Sequence, residues 1–105
     1  MSKTIRILGK KIEIIFIDDS PLVERSGEMH YLDGIIYIRK ALYPDEQKET
    51  LLHEVIHCID YQLKLDLSEA QVHRLAVGLY AVMADNWGGM PDIESEVIPS
   101  NEGIK

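Results

Sequence analysis

The chain has 105 residues, 46% of them apolar and 28% charged, the make-up of a single globular domain and not of a disordered one. Lys and Arg number 11 against 18 Asp and Glu, a net charge of −7. With no basic cluster in the chain, binding to a nucleic-acid backbone is not expected, and the acidity is first a matter of solubility. The one cysteine, Cys58, can form no internal disulfide, and no apolar run reaches the roughly 18 residues of a membrane helix. A cytoplasmic protein without membrane contact is expected.

The first 17 residues hold two β-branched runs, "TIRIL" and "KIEIIFI", around Gly9-Lys10. Apolar residues alternate there at Ile5, Ile7, Ile12, Ile14 and Phe16, as in a β-hairpin with one buried face. "DDSP" interrupts the pattern and Gly27 marks a loop. A second hairpin is predicted from "EMHYL" and "IIYIR" about Asp33-Gly34, a dipeptide suited to the positive φ pair of a type I′ turn. If its second strand, Ile35–Arg39, is a sheet edge, an extended peptide could pair along it.

At Pro44 the period changes. Proline sets φ for a first helical turn, and Asp45 and Glu46 lie near the positive end of the helix dipole. Leu51, Leu52, Val55, Ile56 and Ile59 continue at helical spacing to about Leu63. Ser68 with Gln71 forms a capping box that opens a second helix, whose expected buried stripe is Val72, Leu75, Ala76, Leu79, Val82 and Met83. "NWGGMP" ends it. The expected fold is α+β, a small and mostly antiparallel sheet packed on two long helices. Residues 1–88 form its domain, and 89–105, with Pro91, Pro99 and an acidic bias, an extended or disordered tail.

The first helix carries "HEVIH", residues 53–57. Residues four apart in a helix are rotated by about 40°, so the imidazoles of His53 and His57 share a face and can reach one metal ion. Glu54 is rotated a further 100° or so from His53 and can approach a water at that ion without being a ligand. Two histidines on a solvated face with no metal is the bland alternative, and the intervening glutamate speaks against it. A third ligand is needed, and the second helix offers Glu69 and His73. Glu69 lies within about 60° of Val72 around the helix axis, on the inward stripe where a bare carboxylate would be costly. Its plainer role is a first-turn acid interacting with the helix end. His73, one turn on, is placed to donate a hydrogen bond to a ligand or a reacting oxygen, with direct ligation as the alternative.

"ETLLHEVIHCID" followed by "SEAQVHRLAVGLYAVMADN" resembles the compact gluzincin-type metallopeptidases of the ImmA/IrrE kind, common in phages and mobile elements. The resemblance covers about residues 28–87 and includes the strand "GIIYIRKAL". It implies a small sheet, a helix bearing H-E-x-x-H and a second helix supplying a glutamate. By position it implies His53, His57 and Glu69 as ligands of one zinc ion per chain, and Glu54 as general base. Where the family often has asparagine, four residues after the ligand glutamate, this chain has His73. Relatives with a helix-turn-helix domain exist, and none is expected within these 105 residues.

The expected function is therefore zinc-dependent hydrolysis of a protein or peptide substrate. The alternative is a small zinc-stabilised binding protein that keeps the site without peptidase activity. Tyr61 and Tyr80 are on the ligand sides of their helices and could polarise a substrate carbonyl, though aromatic packing is the default for each. His30 is expected as a surface strand histidine that could face the site. Cys58, rotated about 140° from His53, is expected as a core thiol.

Overall fold

The computed structural model describes residues 2–18 and 26–90. The elements run β1 (Ser2–Ile7), β2 (Lys10–Ile17), β3 (Gly27–His30), β4 (Ile35–Arg39), α1 (Pro44–Leu63) and α2 (Glu69–Trp87). The expected tail lies, from Pro91 onward, outside the described residues.

The first hairpin turns one residue earlier than expected. Ile7 pairs with Lys10, and the two-residue turn is Leu8-Gly9, with φ of 50° and 88°. Two successive left-handed residues give a tight turn the twist of its strands. In the second hairpin the two-residue turn at Asp33-Gly34 is not formed. His30 pairs with Ile35, leaving a four-residue loop in which the Gly34 N–H donates to the Tyr31 carbonyl at 3.0 Å. Tyr31 is the first residue of that loop. It packs against Tyr61 at 4.1 Å between centroids, and the Lys10 ammonium lies 4.8 Å from its ring centre.

The strand order is β1-β2-β4-β3. Both hairpin pairs are antiparallel and β2 runs parallel to β4, so the sheet is mixed and mostly antiparallel, as the α+β expectation had it. β4 is not an edge: it lies between β2 and β3, and Ile36 and Ile38 are fully buried. Among the described strands the edge on that side is β3.

Helix α1 lies between the sheet and α2. Toward the sheet it sends Leu51 and Cys58 into a cluster with Ile7, Ile12, Ile14, Ile36 and Ile38. Toward α2 it sends Ile56, which meets Val72 and Ala76 in a smaller cluster. The buried stripe expected on α2 shrinks to those last two residues. Leu75, Leu79 and Val82 are exposed and Met83 is half-buried, since among the described elements α2 packs chiefly on α1, and one neighbour covers a narrow strip. Met90, assigned to the tail by sequence, packs against the larger cluster.

The caps form where the sequence places them. The Glu46 carboxylate accepts from the Tyr43 N–H at 3.0 Å, with Pro44 in the first turn, and Lys64 closes α1 in the left-handed region. Ser68 and Gln71 exchange hydrogen bonds of 3.1 and 2.8 Å. That box fixes Glu69 as the first residue of α2. Among the described residues no helix is long and apolar enough to cross a membrane.

Candidate metal centre

Helices α1 and α2 bring three side chains to one point. His53 Nε2 lies 2.8 Å from Glu69 Oε2, and His57 Nε2 lies 3.0 Å from Glu69 Oε1. The two imidazole rings are 4.9 Å apart and inclined at 62°. A carboxylate can only accept in these contacts, so each Nε2 presents its hydrogen to Glu69. An ion would take the place of those two protons. Ligand atoms around a tetrahedral ion with bonds of about 2.0 Å stand roughly 3.3 Å apart, close to these two separations. His53, His57 and Glu69 could thus hold a metal ion, all three donor atoms lying within 4.8 Å of one another.

Glu69 is not buried on the inward stripe as expected. Its side chain is 72% exposed, against 18% for His53 and 31% for His57. Helix phase points Glu69 toward the histidines, and solvent, not a buried partner, accounts for the rest of its surface. Burial pushes the His53 imidazole below its usual pKa, against the upward pull of the Glu69 carboxylate. Burial thereby favours the neutral form that a metal ligand requires.

Glu54 is buried, 6% exposed, and lines the cleft in front of the triad. Gly27, expected in a loop, is the first residue of β3 and lets that strand approach α1 here. A methyl group on Gly27 would lie 2.6 Å from Thr50 Cγ2, 2.8 Å from the Tyr37 carbonyl and 3.6 Å from Glu54 Cγ. The cleft, about 1160 Å³ in volume, is open and is bounded by β3, α1 and the first turns of α2. It exceeds the range of roughly 300–1,000 Å³ usual for small-molecule sites.

His73 lines the cleft with its ring 6.0 Å from that of His53, and it is not part of the three-residue metal cluster. His30 also lines the cleft, paired with Glu28 at 2.9 Å and edge-on to Tyr37. Tyr61 lines it while packed on Tyr31. Tyr80 is not brought to the cleft. Its hydroxyl donates to Asp45 at 3.4 Å near the start of α1, and burial together with that carboxylate pushes its pKa up. Cys58 is in the core, as its helix phase predicts, and burial pushes its thiol pKa up.

Sequence reasoning missed the acids that line the cleft beside the triad, Glu46, Glu49 and Asp60 on α1 and Glu28 on β3. The α1 acids carried a signal: residues 46, 49, 53, 57 and 60 recur at helical spacing and share one face.

The fold and site together define an α+β domain with a candidate two-histidine, one-glutamate metal centre in an open cleft. No family model matches the chain, and neither does any curated protein or solved structure.

Proposed function

We propose that the protein is a small zinc-dependent metallopeptidase of the gluzincin type, similar to the ImmA/IrrE kind. The observation that carries this reading is the meeting of His53, His57 and Glu69 within metal-binding distance, with Glu54 lining the same cleft. Two imidazoles and one carboxylate are a donor set suited to zinc with a position left for water. When bound, zinc supplies a lowered water pKa and polarises a carbonyl. The chain's own part begins with β3, an edge among the described strands whose residues line the cleft, where an extended peptide would pair with its backbone. The Glu54 carboxylate takes a proton from the attacking water and returns it to the leaving nitrogen. Burial favours the neutral form of His53, and both imidazoles are oriented toward Glu69.

The competing reading, a zinc-stabilised binding protein, calls for a closed shell of four protein ligands. The separation of His73 from the cluster speaks against that shell. Glu54→Gln distinguishes the two. It keeps size and removes the proton acceptor, so the variant binds one equivalent of zinc and melts like the parent. Cleavage of a broad peptide library falls by about 10²-fold or more. Equal cleavage by parent and variant would overturn the mechanism. Absence of cleavage by both, with one zinc bound and a cellular partner retained, would hand the site to the binding reading.

A further inference from the structure

The cleft has a strong sign of charge. Glu28, Glu46, Glu49, Glu54, Asp60 and Glu69 line it, and among its described lining residues there is no lysine or arginine. Glu28 is paired with His30 at 2.9 Å, Glu54 is buried and Glu69 faces the candidate metal position, so the field rests chiefly on Glu46, Glu49 and Asp60. They are spread along the cleft. Glu46 and Glu49 stand on the first turns of α1, Asp60 on its last, and Glu28 on the opposite wall formed by β3. From residue 46 to residue 60 the helix rises about 21 Å, the length of roughly six residues of extended chain. The low-dielectric walls of a cleft concentrate such a field on whatever enters it.

We infer that the cleft selects extended peptide segments rich in lysine and arginine, their side chains flanking the scissile bond on both sides. The inference rests on the peptidase reading for the bond being cut, but not for the segment being bound. Glu49 is its most direct agent. It belongs neither to the metal triad nor to a helix cap, whereas Glu46 accepts from the Tyr43 N–H and Asp60 Oδ1 from the Leu67 N–H. Additional cations held by the carboxylates are the rival explanation of the charge. Among the described residues only the triad brings three donor atoms together closely enough.

The test uses the full chain loaded with zinc and three fluorescent ten-residue peptides, lysine-rich, glutamine-rich and glutamate-rich. Binding is read by anisotropy on Glu54→Gln, so that turnover does not intervene, and cleavage is read by mass spectrometry on the parent. The lysine-rich peptide binds on the order of tenfold more tightly than the glutamine-rich one at low salt, and the margin narrows near 0.5 M salt, where screening is short-ranged, about 4 Å. Glu49→Lys, added to that background, removes most of the preference. Asp85→Lys, the same charge change on α2 outside the cleft, leaves it. Should Glu49→Lys lose its helical circular dichroism, Glu49→Gln replaces it, with a smaller loss expected.

Basic peptides bound but not cut would uphold the inference and remove the peptidase. Peptides of all three kinds bound and cut alike would overturn the inference and keep the peptidase. Equal losses in Glu49→Lys and Asp85→Lys would overturn it in favour of overall charge. So would absence of binding to every peptide at millimolar concentration, or more than one equivalent of zinc displacing the basic peptide.

Discussion

Glycine 27 shows how one residue holds the cleft together. Its missing side chain lets β3 approach Thr50 and Glu54, so Gly27→Ala forces contacts that must be relieved by moving the strand or the helix. We expect a loss of about 1–3 kcal/mol in urea unfolding, the scale of overpacking, with faster amide exchange in β3. An unchanged midpoint would mean that the strand can retreat freely. Cys58 makes the opposite case, a reactive atom kept inert. Buried in the core and with its thiol pKa raised, it should react with a disulfide reagent at least about a hundredfold more slowly in native than in denatured protein, since access needs an opening costing several kcal/mol. Rapid native labelling would place it at the surface. The helix period was enough to read Cys58 as inward and His53 and His57 as a pair on one face, because their relative directions are fixed within a single helix. It did not reveal how exposed Glu69 is. Phase sets the direction in which a side chain leaves its helix, and another layer decides whether it is covered.

At the scale of elements the same distinction separates what was readable from what was not. The starts of both helices were legible in Pro44 and in the Ser68–Gln71 box because caps are local chemistry. The alternation in "KIEIIFI" gave a strand but not its neighbour: β2 pairs in parallel with β4, across the whole length of β3 in sequence, and a period of two carries no partner. The identity of the edge strand was lost for that reason, and with it the wall of the cleft. On α2 the apolar spacing overstated burial, and this is measurable. Leu79→Gln should change stability by no more than about 0.5 kcal/mol, as at most surface positions. Val72→Ala, removing two buried methyl groups from the α1–α2 cluster, should cost about 2 kcal/mol. Comparable losses in chemical denaturation would mean that something covers Leu79.

Across the whole molecule, the three layers are fastened unequally. The sheet and α1 share the larger cluster, whereas α2 is held to α1 by Ile56, Val72 and Ala76 with their half-buried neighbours, and by the Glu69 contacts to His53 and His57. A metal ion at the triad would therefore join α1 and α2, which share the smaller of the two apolar clusters. Zinc at a hundred times its dissociation constant should add about 2.7 kcal/mol to unfolding, and a chelator should remove it. Amide exchange on chelation should rise first in α2, with β2, β4 and the sheet-facing turns of α1 protected until global unfolding. Acid should act in the same direction by two routes. Zinc affinity falls as protons compete for the imidazoles below about pH 6.5. Independently of metal, the folded chain holds His53 below its ordinary pKa of 6.5, so the unfolded chain takes up that proton first. The stability tied to neutral His53 is thus complete above about pH 6.5 and is lost as the pH falls through the lower, folded value. Melting temperatures measured from pH 7.5 to 5, with zinc and with chelator, should both fall, the zinc curve more steeply until the two meet. Parallel curves, or a uniform rise in exchange across all three layers on chelation, would show that an ion at this triad does not fasten α2 to the rest.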